Sequence, residues 1–291
     1  MLKRMLCALL CLVLAGSLIP AAARAAEPEN TYDLFVLSPE DCFFACNTKK
    51  VEDGHYRAAA GQALSVQVYY NDPVLELDHW ESRDVELTEE QKTSFTLEFV
   101  MPDHPVYLDA VARESVCPFT DVPRDSWYYR GVMKASKGSY MKGTSDTTFS
   151  PTENMTRAQA VTALHFFVIG AGGGGPDIVF NDVPEDAWFY EPVYWAVSAE
   201  VTKGISDTEF GPYAPVTRAQ FVCMLFNAMK WVGPVDVRAE PYFSDVPEGA
   251  YYWDALAWAL GNDFVAGKTY DTFGPNDPCT RAEIAVMLSK R

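Results

Sequence analysis

The sequence predicts an α+β protein: a small β-rich domain, then a mainly α region of three repeats built on a central helical bundle. Apolar residues between positions 31 and 115 alternate with a period of two, as in half-buried strands. From residue 117 onward one set of motifs occurs three times, with Phe119, Phe180 and Phe243 standing 61 and 63 residues apart. Each repeat ends in a segment that is apolar over a wider arc than a surface helix needs. We therefore expect these segments to bury one another around a pseudo-threefold axis.

The β-rich region covers residues 31–115. Leu64–Tyr69 and Phe95–Phe99 alternate between apolar and polar residues, and clusters of Pro, Gly and Asp separate the apolar runs. The order Ala60-Gly61-Gln62, His79-Trp80-Glu81, Phe99-Val100-Met101-Pro102 and then Val106–Val111 resembles the divergent InlB B-repeat, a family of bacterial surface proteins. The resemblance implies a β-grasp-like fold. We assign Trp80 to the core rather than to a ligand platform.

Each repeat opens with Phe-x-Asp-Val-Pro, and Thr-Arg-Ala-Gln or Thr-Arg-Ala-Glu introduces its final apolar segment. The spacing from the Phe to the Arg is 38 positions in every copy, as from Phe119 to Arg157, so the register does not slip. This pattern predicts loop, helix, loop, helix. The second helix begins after the Thr, because Thr with Gln or Glu three residues later forms a capping box. The recurrent glycines are expected to end the first helices in a left-handed conformation; they are Gly143, Gly204 and Gly267.

An arginine occupies the first position of each second helix: Arg157, Arg218 and Arg281. A cation there opposes the helix dipole, at a cost of about 0.3–1 kcal/mol. Free helix N–H groups beside a guanidinium would form a site for an anion. The alternative is that each arginine pairs with a carboxylate of its own chain and locks a loop. Carboxylates recur at matching positions, Asp121, Asp182 and Asp245, and we expect them to fix the loop that opens each repeat.

Together these motifs resemble three S-layer homology (SLH) domains, at residues 117–169, 177–231 and 241–291. The resemblance implies a three-pronged module that binds secondary cell-wall polysaccharide, often bearing ketal-linked pyruvate, in grooves between the prongs. The residues it implies for polysaccharide binding are Arg157, Arg218, Arg281, Trp127, Trp188, Tyr251, Gly143, Gly204 and Gly267. Stacking on sugar and packing are both open for the two tryptophans. The sequence departs from the pattern at Gln159 and Gln220, which replace Glu, and at Tyr251, which replaces Trp.

Several classes of function are disfavoured. A net charge of −17 argues against nucleic acid or an anionic membrane as the main partner. Residues 1–26 have the basic start, apolar core and small-x-small end of a signal peptide, and no later segment is apolar enough to span a bilayer. We therefore expect an exported protein of the bacterial cell surface, without membrane insertion once the leader is removed. Gly170–Pro176 is predicted to be a linker between the first two repeats.

Five cysteines follow the leader, so at least one lacks an intramolecular partner. A pair between Cys42 and Cys46 is left open, and Cys223 is expected to be a buried thiol. His79 and His104 each follow an Asp but have no further ligand set, and His165 is assigned to a helix surface.

We predict no catalytic residues, metal site or cofactor. Two functions remain: a noncatalytic surface protein anchored by its repeats and displaying the β domain, or an accessory component of surface glycan processing. In the second, the β domain would bind polysaccharide or an enzyme partner. The sequence assigns no specific partner to this domain.

Overall fold

The computed structural model describes residues 30–168 and 180–290. The chain divides into two compact units at the boundary between Val116 and Cys117. The predicted leader, residues 1–26, and the predicted linker, Gly170–Pro176, lie outside the described residues. No helix in the described ranges is long and apolar enough to cross a bilayer.

The first unit is built mainly of strands. In chain order its elements are β1 (Thr31–Leu37), β2 (Cys42–Cys46), β3 (Lys49–Glu52), β4 (His55–Ala59), β5 (Ala63–Tyr70), β6 (Leu75–Ser82), α1 (Glu89–Thr93), β7 (Thr96–Val100) and β8 (Val106–Glu114). A five-stranded sheet has the order β3-β4-β1-β8-β6, and a three-stranded sheet has the order β2-β5-β7. Strands β1 and β8 are parallel, and their outer neighbours run antiparallel to them. The β-rich fold predicted for this region is confirmed; its resemblance to the InlB B-repeat stays a prediction.

The alternation in the sequence matches the core of this unit. Leu64, Val66 and Val68 of β5 are buried, as is Leu97 of β7. Trp80 is fully buried, and its indole N–H donates to the carbonyl of Ser94 at 3.0 Å. A satisfied indole inside the core leaves no ring face for a ligand, which confirms the core assignment.

The second unit has two helices in each repeat, as predicted. They are α2 (Tyr129–Lys137), α3 (Arg157–Val168), α4 (Tyr190–Ser198), α5 (Arg218–Val232), α6 (Trp253–Gly261) and α7 (Arg281–Leu288). The first helix of each repeat packs on the second helix of the repeat before it: α2 on α7, α4 on α3 and α6 on α5. The pairing of α2 with α7 joins repeat 1 to repeat 3, so the packing closes a circle.

Three backbone hydrogen bonds close a second, smaller ring at the centre of the circle. Met155 N–H donates to the carbonyl of Cys279, Val216 N–H to that of Met155, and Cys279 N–H to that of Val216, each at 2.9 Å. All three residues are at most 2% exposed. Because each bond joins two different repeats, no repeat can satisfy these groups alone.

The recurrent glycines do not end the first helices, which corrects the prediction. The left-handed residues that follow those helices are Ser139, Glu200 and Asp263, with φ of 59°, 54° and 59°. Gly143, Gly204 and Gly267 lie further along, and φ is not positive at any of them. A Cβ on Gly204 would lie 2.5 Å from the carbonyl oxygen of Ser206 and 2.6 Å from the ring of Phe180. Glycine is therefore required there by close packing and not by the backbone conformation.

His165 is buried, contrary to the helix-surface assignment. It is 3% exposed, and its ring centroid lies 5.2 Å from that of Trp195. The reason is that α3 packs against α4 on one side and α5 on another, so most of its circumference is covered.

All five cysteines are free thiols. Cys42 and Cys46 stand at opposite ends of β2, about 13 Å apart in an extended strand, which is too far for a disulfide. Burial raises the pKa of Cys223 to about 11 and that of Cys279 to about 12, so both remain protonated at neutral pH.

We predict that one repeat does not fold alone. The fragment Cys117–Phe167 lacks α7, the partner of α2, and two members of the central ring. It should give no cooperative transition in thermal circular dichroism, whereas residues 117–291 should give one. A cooperative melt of the short fragment would show that the repeats are independent.

Candidate functional site

Each second helix begins with a capping box. Thr217 Oγ1 accepts from the N–H of Gln220 at 3.3 Å, and Gln220 Oε1 accepts from the N–H of Thr217 at 3.1 Å. Thr156 with Gln159 and Thr280 with Glu283 form the same reciprocal pair. The prediction that Thr is the N-cap and Arg the first helical residue is confirmed.

The backbone N–H groups expected to be free at these helix starts are occupied. Arg157 N–H donates to the carbonyl of Ala214 at 2.9 Å, and Ala158 N–H to that of Pro212 at 3.0 Å. The corresponding bonds elsewhere join Arg218 to Asp277, Ala219 to Pro275, Arg281 to Glu153 and Ala282 to Pro151. Every acceptor belongs to the next repeat around the circle. The helix start is thus a junction between repeats, and the expectation of an anion site on free backbone N–H groups is wrong.

The three guanidinium groups are buried in these junctions, at 4–6% exposure. In each, Nε and Nη2 donate to two carbonyls of the next repeat. The bonds are Arg157 to Phe210 (3.1 Å) and Lys203 (2.6 Å), Arg218 to Phe273 (2.9 Å) and Ala266 (2.9 Å), and Arg281 to Phe149 (2.7 Å) and Lys142 (2.6 Å). Each guanidinium also lies 4.6–4.7 Å from the ring centre of the same phenylalanine. Each of these phenylalanines begins a Phe-x-Pro loop that recurs in every repeat: Phe149–Pro151, Phe210–Pro212 and Phe273–Pro275. The arginine therefore clamps the Phe-x-Pro loop of its neighbour through a planar fork and a cation–π contact.

The glycines and aspartates shape the loop that is clamped. Lys142, Lys203 and Ala266, whose carbonyls receive Nη2, immediately precede Gly143, Gly204 and Gly267. Asp182 accepts from the N–H groups of Phe210 and Gly211 at 2.8 and 2.7 Å, and Asp121 and Asp245 make the same pair of bonds in their repeats. The prediction that these aspartates fix a loop is confirmed. The glycines bring the acceptor carbonyls into place and present no side chain to a ligand.

One carboxylate does bind an arginine directly. Arg218 Nη1 donates to Glu283 Oε1 at 3.0 Å, and the two side chains are 5% and 16% exposed. The pair is internal to the protein, as the alternative interpretation of the sequence expected. The carboxylate belongs to Glu283 of the next repeat, however, and not to Asp245. Burial lowers the pKa of Arg157, an effect that the charge of Asp182 partly offsets. Burial also lowers the pKa of Arg281, offset in part by Glu153 and Asp121.

The aromatic candidates stand on the surface of the same junctions. Trp127, Trp188 and Tyr251 are 66%, 60% and 73% exposed, and each touches the next residue's ring edge-on. They immediately precede the N-cap residues of α2, α4 and α6, the helices that pack across the junctions. Partial desolvation raises the pKa of Tyr251, and a hydrogen bond with Thr217 in repeat 2 partly offsets this rise. The exposed ring faces are available for stacking on a ligand. The sequence alone had left open whether the two tryptophans stack on sugar or pack against the protein.

A cavity of about 690 Å³ lies at the junction of repeats 1 and 2. Trp188 lines it together with His165 of α3 and with Glu185 and Glu191. The cavity is large enough for a sugar residue, and its wall combines an aromatic face with carboxylates that can accept from hydroxyl groups.

Comparison with known proteins agrees with this architecture. The family model of the S-layer homology domain matches residues 118–161, 179–222 and 242–285. The chain contains three S-layer homology domains. The matched segments hold all nine candidate residues, and each segment runs from the opening Phe-x-Asp loop into its second helix.

The relatives found are surface proteins and enzymes. An endoglucanase of Bacillus sp. (strain KSM-635) is 27% identical over 61% of this chain and 19% of its own length. The surface-layer 125 kDa protein of Lysinibacillus sphaericus is 29% identical over 60% of this chain and 15% of its own length. The cellulosome-anchoring protein of Acetivibrio thermocellus is 23% identical over 52% of this chain and 35% of its own length. The similarity thus spans a minor part of each relative, and the SLH domains, not an activity, are what they share. These domains mark this protein as a secreted, cell-wall-anchored surface protein.

The sequence missed the acceptors of the arginines, which are main-chain carbonyls and carry no residue signature. The recurrence of Phe-x-Pro at a constant distance from the arginine was the available signal. It marked the loop but could not reveal that the loop belongs to the next repeat.

We predict that Arg157→Lys lowers stability. Lysine replaces the two-pronged guanidinium with a single nitrogen, so we expect a buried carbonyl of Phe210 or Lys203 to lose its partner, at a cost of about 1–3 kcal/mol. Urea unfolding of residues 117–291 measures this loss. The control is Arg238→Lys, since Arg238 is an exposed residue of the same unit paired with Asp236, and it should change stability by less than about 0.5 kcal/mol. Equal unfolding midpoints for the two variants would refute the clamp.

Proposed function

We propose that the SLH domains anchor this protein noncovalently to the bacterial cell wall by binding secondary cell-wall polysaccharide bearing acidic, pyruvate-type substituents. The observation that carries the proposal is made at all three junctions: an exposed aromatic residue precedes the helix that packs on the helix begun by a buried arginine. A ring face suits the apolar face of a sugar, and a guanidinium suits a carboxylate. The similarity to the cellulosome-anchoring protein of Acetivibrio thermocellus supports an anchoring role. The β domain is then the part displayed at the cell surface, and the chain itself performs no catalysis.

A second candidate function concerns the β domain. Rings of three adjacent strands stack in a row on the five-stranded sheet: His55 on Phe35, with centroids 4.5 Å apart, and Phe35 on Tyr107, at 4.9 Å. Tyr107 is 49% exposed. A flat aromatic row favours polysaccharide contact, as expected of an accessory component of surface glycan processing. Binding of residues 27–115 to a panel of glycans, with Tyr107→Ala as the variant, tests it; equal retention of both proteins would remove this candidate.

We predict that residues 117–291 sediment with purified bacterial cell walls and that residues 27–115 do not. All candidate ligand contacts of the anchoring proposal lie in the former fragment. Walls stripped of their secondary polysaccharide are the control and should not retain either fragment. Retention by stripped walls, or equal retention of both fragments, would contradict the proposal.

We also predict that Trp188→Ala weakens wall binding by about tenfold, with little change in melting temperature. The side chain is 60% exposed and contributes little to the core, whereas loss of one sugar-stacking contact is worth about 1.4 kcal/mol. Tyr270→Ala is the matched control, because Tyr270 is a loop residue that is 92% exposed. If both variants bind as well as the wild type, Trp188 is not a contact.

A further inference from the structure

The β domain has two sheets that share one core, so each sheet also has an outer face. Inward residues of both sheets, such as Leu34 of β1 and Val66 of β5, belong to a single buried cluster. Side chains alternate along a strand, so the residues between the inward ones point away from the core. The two outer faces therefore lie on opposite sides of the domain. The stacked rings of His55, Phe35 and Tyr107, here called the first row, lie on the outer face of the five-stranded sheet.

A second row of rings crosses the outer face of the three-stranded sheet. Phe43 of β2 stacks on Tyr69 of β5, with centroids 4.9 Å apart and planes 8° from parallel, and Tyr69 meets Phe95 edge-on at 5.5 Å. Phe95 immediately precedes β7, so the row spans all three strands. Its side chain is 53% exposed, and those of Phe43 and Tyr69 are half-buried. All three residues lie outside the core cluster and outside the residues packed against it. The second row therefore adds its rings to the surface of the domain.

Amide and hydroxyl groups flank the second row. The Tyr69 hydroxyl donates to Gln67 Oε1 at 2.6 Å, and Gln67 Nε2 donates to Thr96 Oγ1 at 2.8 Å. A side-chain amide has two N–H donors and a hydroxyl has one, so Gln67 and Thr96 each keep a donor that these bonds do not use. Both side chains are partly exposed. Flat rings beside such groups suit a sugar, because its apolar face can stack while its hydroxyls bind the polar groups.

Charge determines which ligand the two rows accept. Glu98 is the only charged residue in strands β2, β5 and β7, so an acidic sugar finds no cation on them. Residues 31–115 hold 17 acidic and 6 basic residues, a net charge of −11, which repels acidic polymers and a second copy of the domain alike. Beside the first row, Asp33 is already hydrogen-bonded to His55 and paired with Arg57. A neutral glycan is the ligand that fits both rows.

We infer that the outer face of the three-stranded sheet is a second surface for neutral glycan, so that the β domain bridges two glycan chains through its opposite faces. This inference rests on the second candidate function and extends it from one face to two. A domain with one binding face retains a single chain, whereas a domain with two opposed faces links neighbouring chains. The anchored protein would in this way hold neutral glycan together at the cell surface.

Binding and bridging are measured separately on the full chain, with the soluble neutral polymers hydroxyethylcellulose, xyloglucan and galactomannan. Affinity gel electrophoresis reports binding as retardation, and light scattering of the mixture reports bridging. At least one polymer should retard the wild type. Scattering with that polymer should rise to a maximum and fall again once protein is in excess, as it does for a bivalent linker. Polygalacturonate, an acidic polymer, should produce neither effect.

Variants of each row distinguish the two faces. Phe43→Thr removes the stacked pair of the second row and keeps a residue with high β propensity in β2, and Tyr107→Ala disrupts the first row. Each should still bind the polymer through its intact face, which also shows that the domain is folded, but should scatter no more than the polymer alone. The double variant should bind at least about tenfold more weakly. Val51→Ala is the control, since Val51 is an exposed residue of β3 that belongs to neither row, and it should bridge like the wild type.

The inference is overturned if Phe43→Thr bridges as well as the wild type, or if none of the three neutral polymers retards the wild type. Scattering of the protein without polymer would also overturn it, because a second copy would then occupy the face. Loss of all binding in Tyr107→Ala alone would leave the second candidate function standing with a single face. Wall sedimentation of the double variant is measured in parallel and should equal that of the wild type, because both changes lie outside residues 117–291. A failure of anchoring is thus distinguished from a failure of bridging.

Discussion

The architecture of the helical unit depends on one interaction, a buried arginine whose hydrogen-bond acceptors lie in the next repeat. A guanidinium cannot be taken out of water without acceptors, and the carbonyls that these arginines use all lie in the next repeat. Arg157, Arg218 and Arg281 each find two carbonyls on a neighbouring loop, and the third arginine returns to the first repeat. With three repeats, every arginine therefore finds its two acceptor carbonyls. The central ring of Met155, Val216 and Cys279 imposes the same condition on the backbone.

This construction places the candidate binding surfaces where the repeats meet. A wall polymer held at a junction would touch two repeats at once, and its binding would reinforce the closed circle. The parts of the junction differ in what folding requires of them. Nε and Nη2 of each arginine are used internally, whereas the exposed rings of Trp127, Trp188 and Tyr251 add little to the core. These rings are exposed although the fold does not need them at the surface, so they are available to a ligand.

Much of the local structure was predictable from the sequence, because capping boxes, apolar stripes and turn motifs act over a few residues. The helix starts after Thr156, Thr217 and Thr280 were found this way. What could not be predicted depends on residues far apart in the chain. The free N–H groups expected at the helix starts are paired across repeats, and His165 is covered by helices of the second repeat. The glycines were misassigned because a recurrent glycine looks the same in the sequence whichever constraint requires it. The constraint can be a left-handed turn or, as beside Phe180, a lack of room for a Cβ atom.

The central claim is that the three repeats form one closed unit, and native-state hydrogen exchange of the full chain tests it most directly. The amides of Met155, Val216 and Cys279 form a ring in which no bond breaks independently of a junction. They should exchange through the same opening, with one common free energy equal to that of unfolding the helical unit. Exchange of one of them through a separate opening of clearly lower free energy, with the other two still protected, would contradict the account.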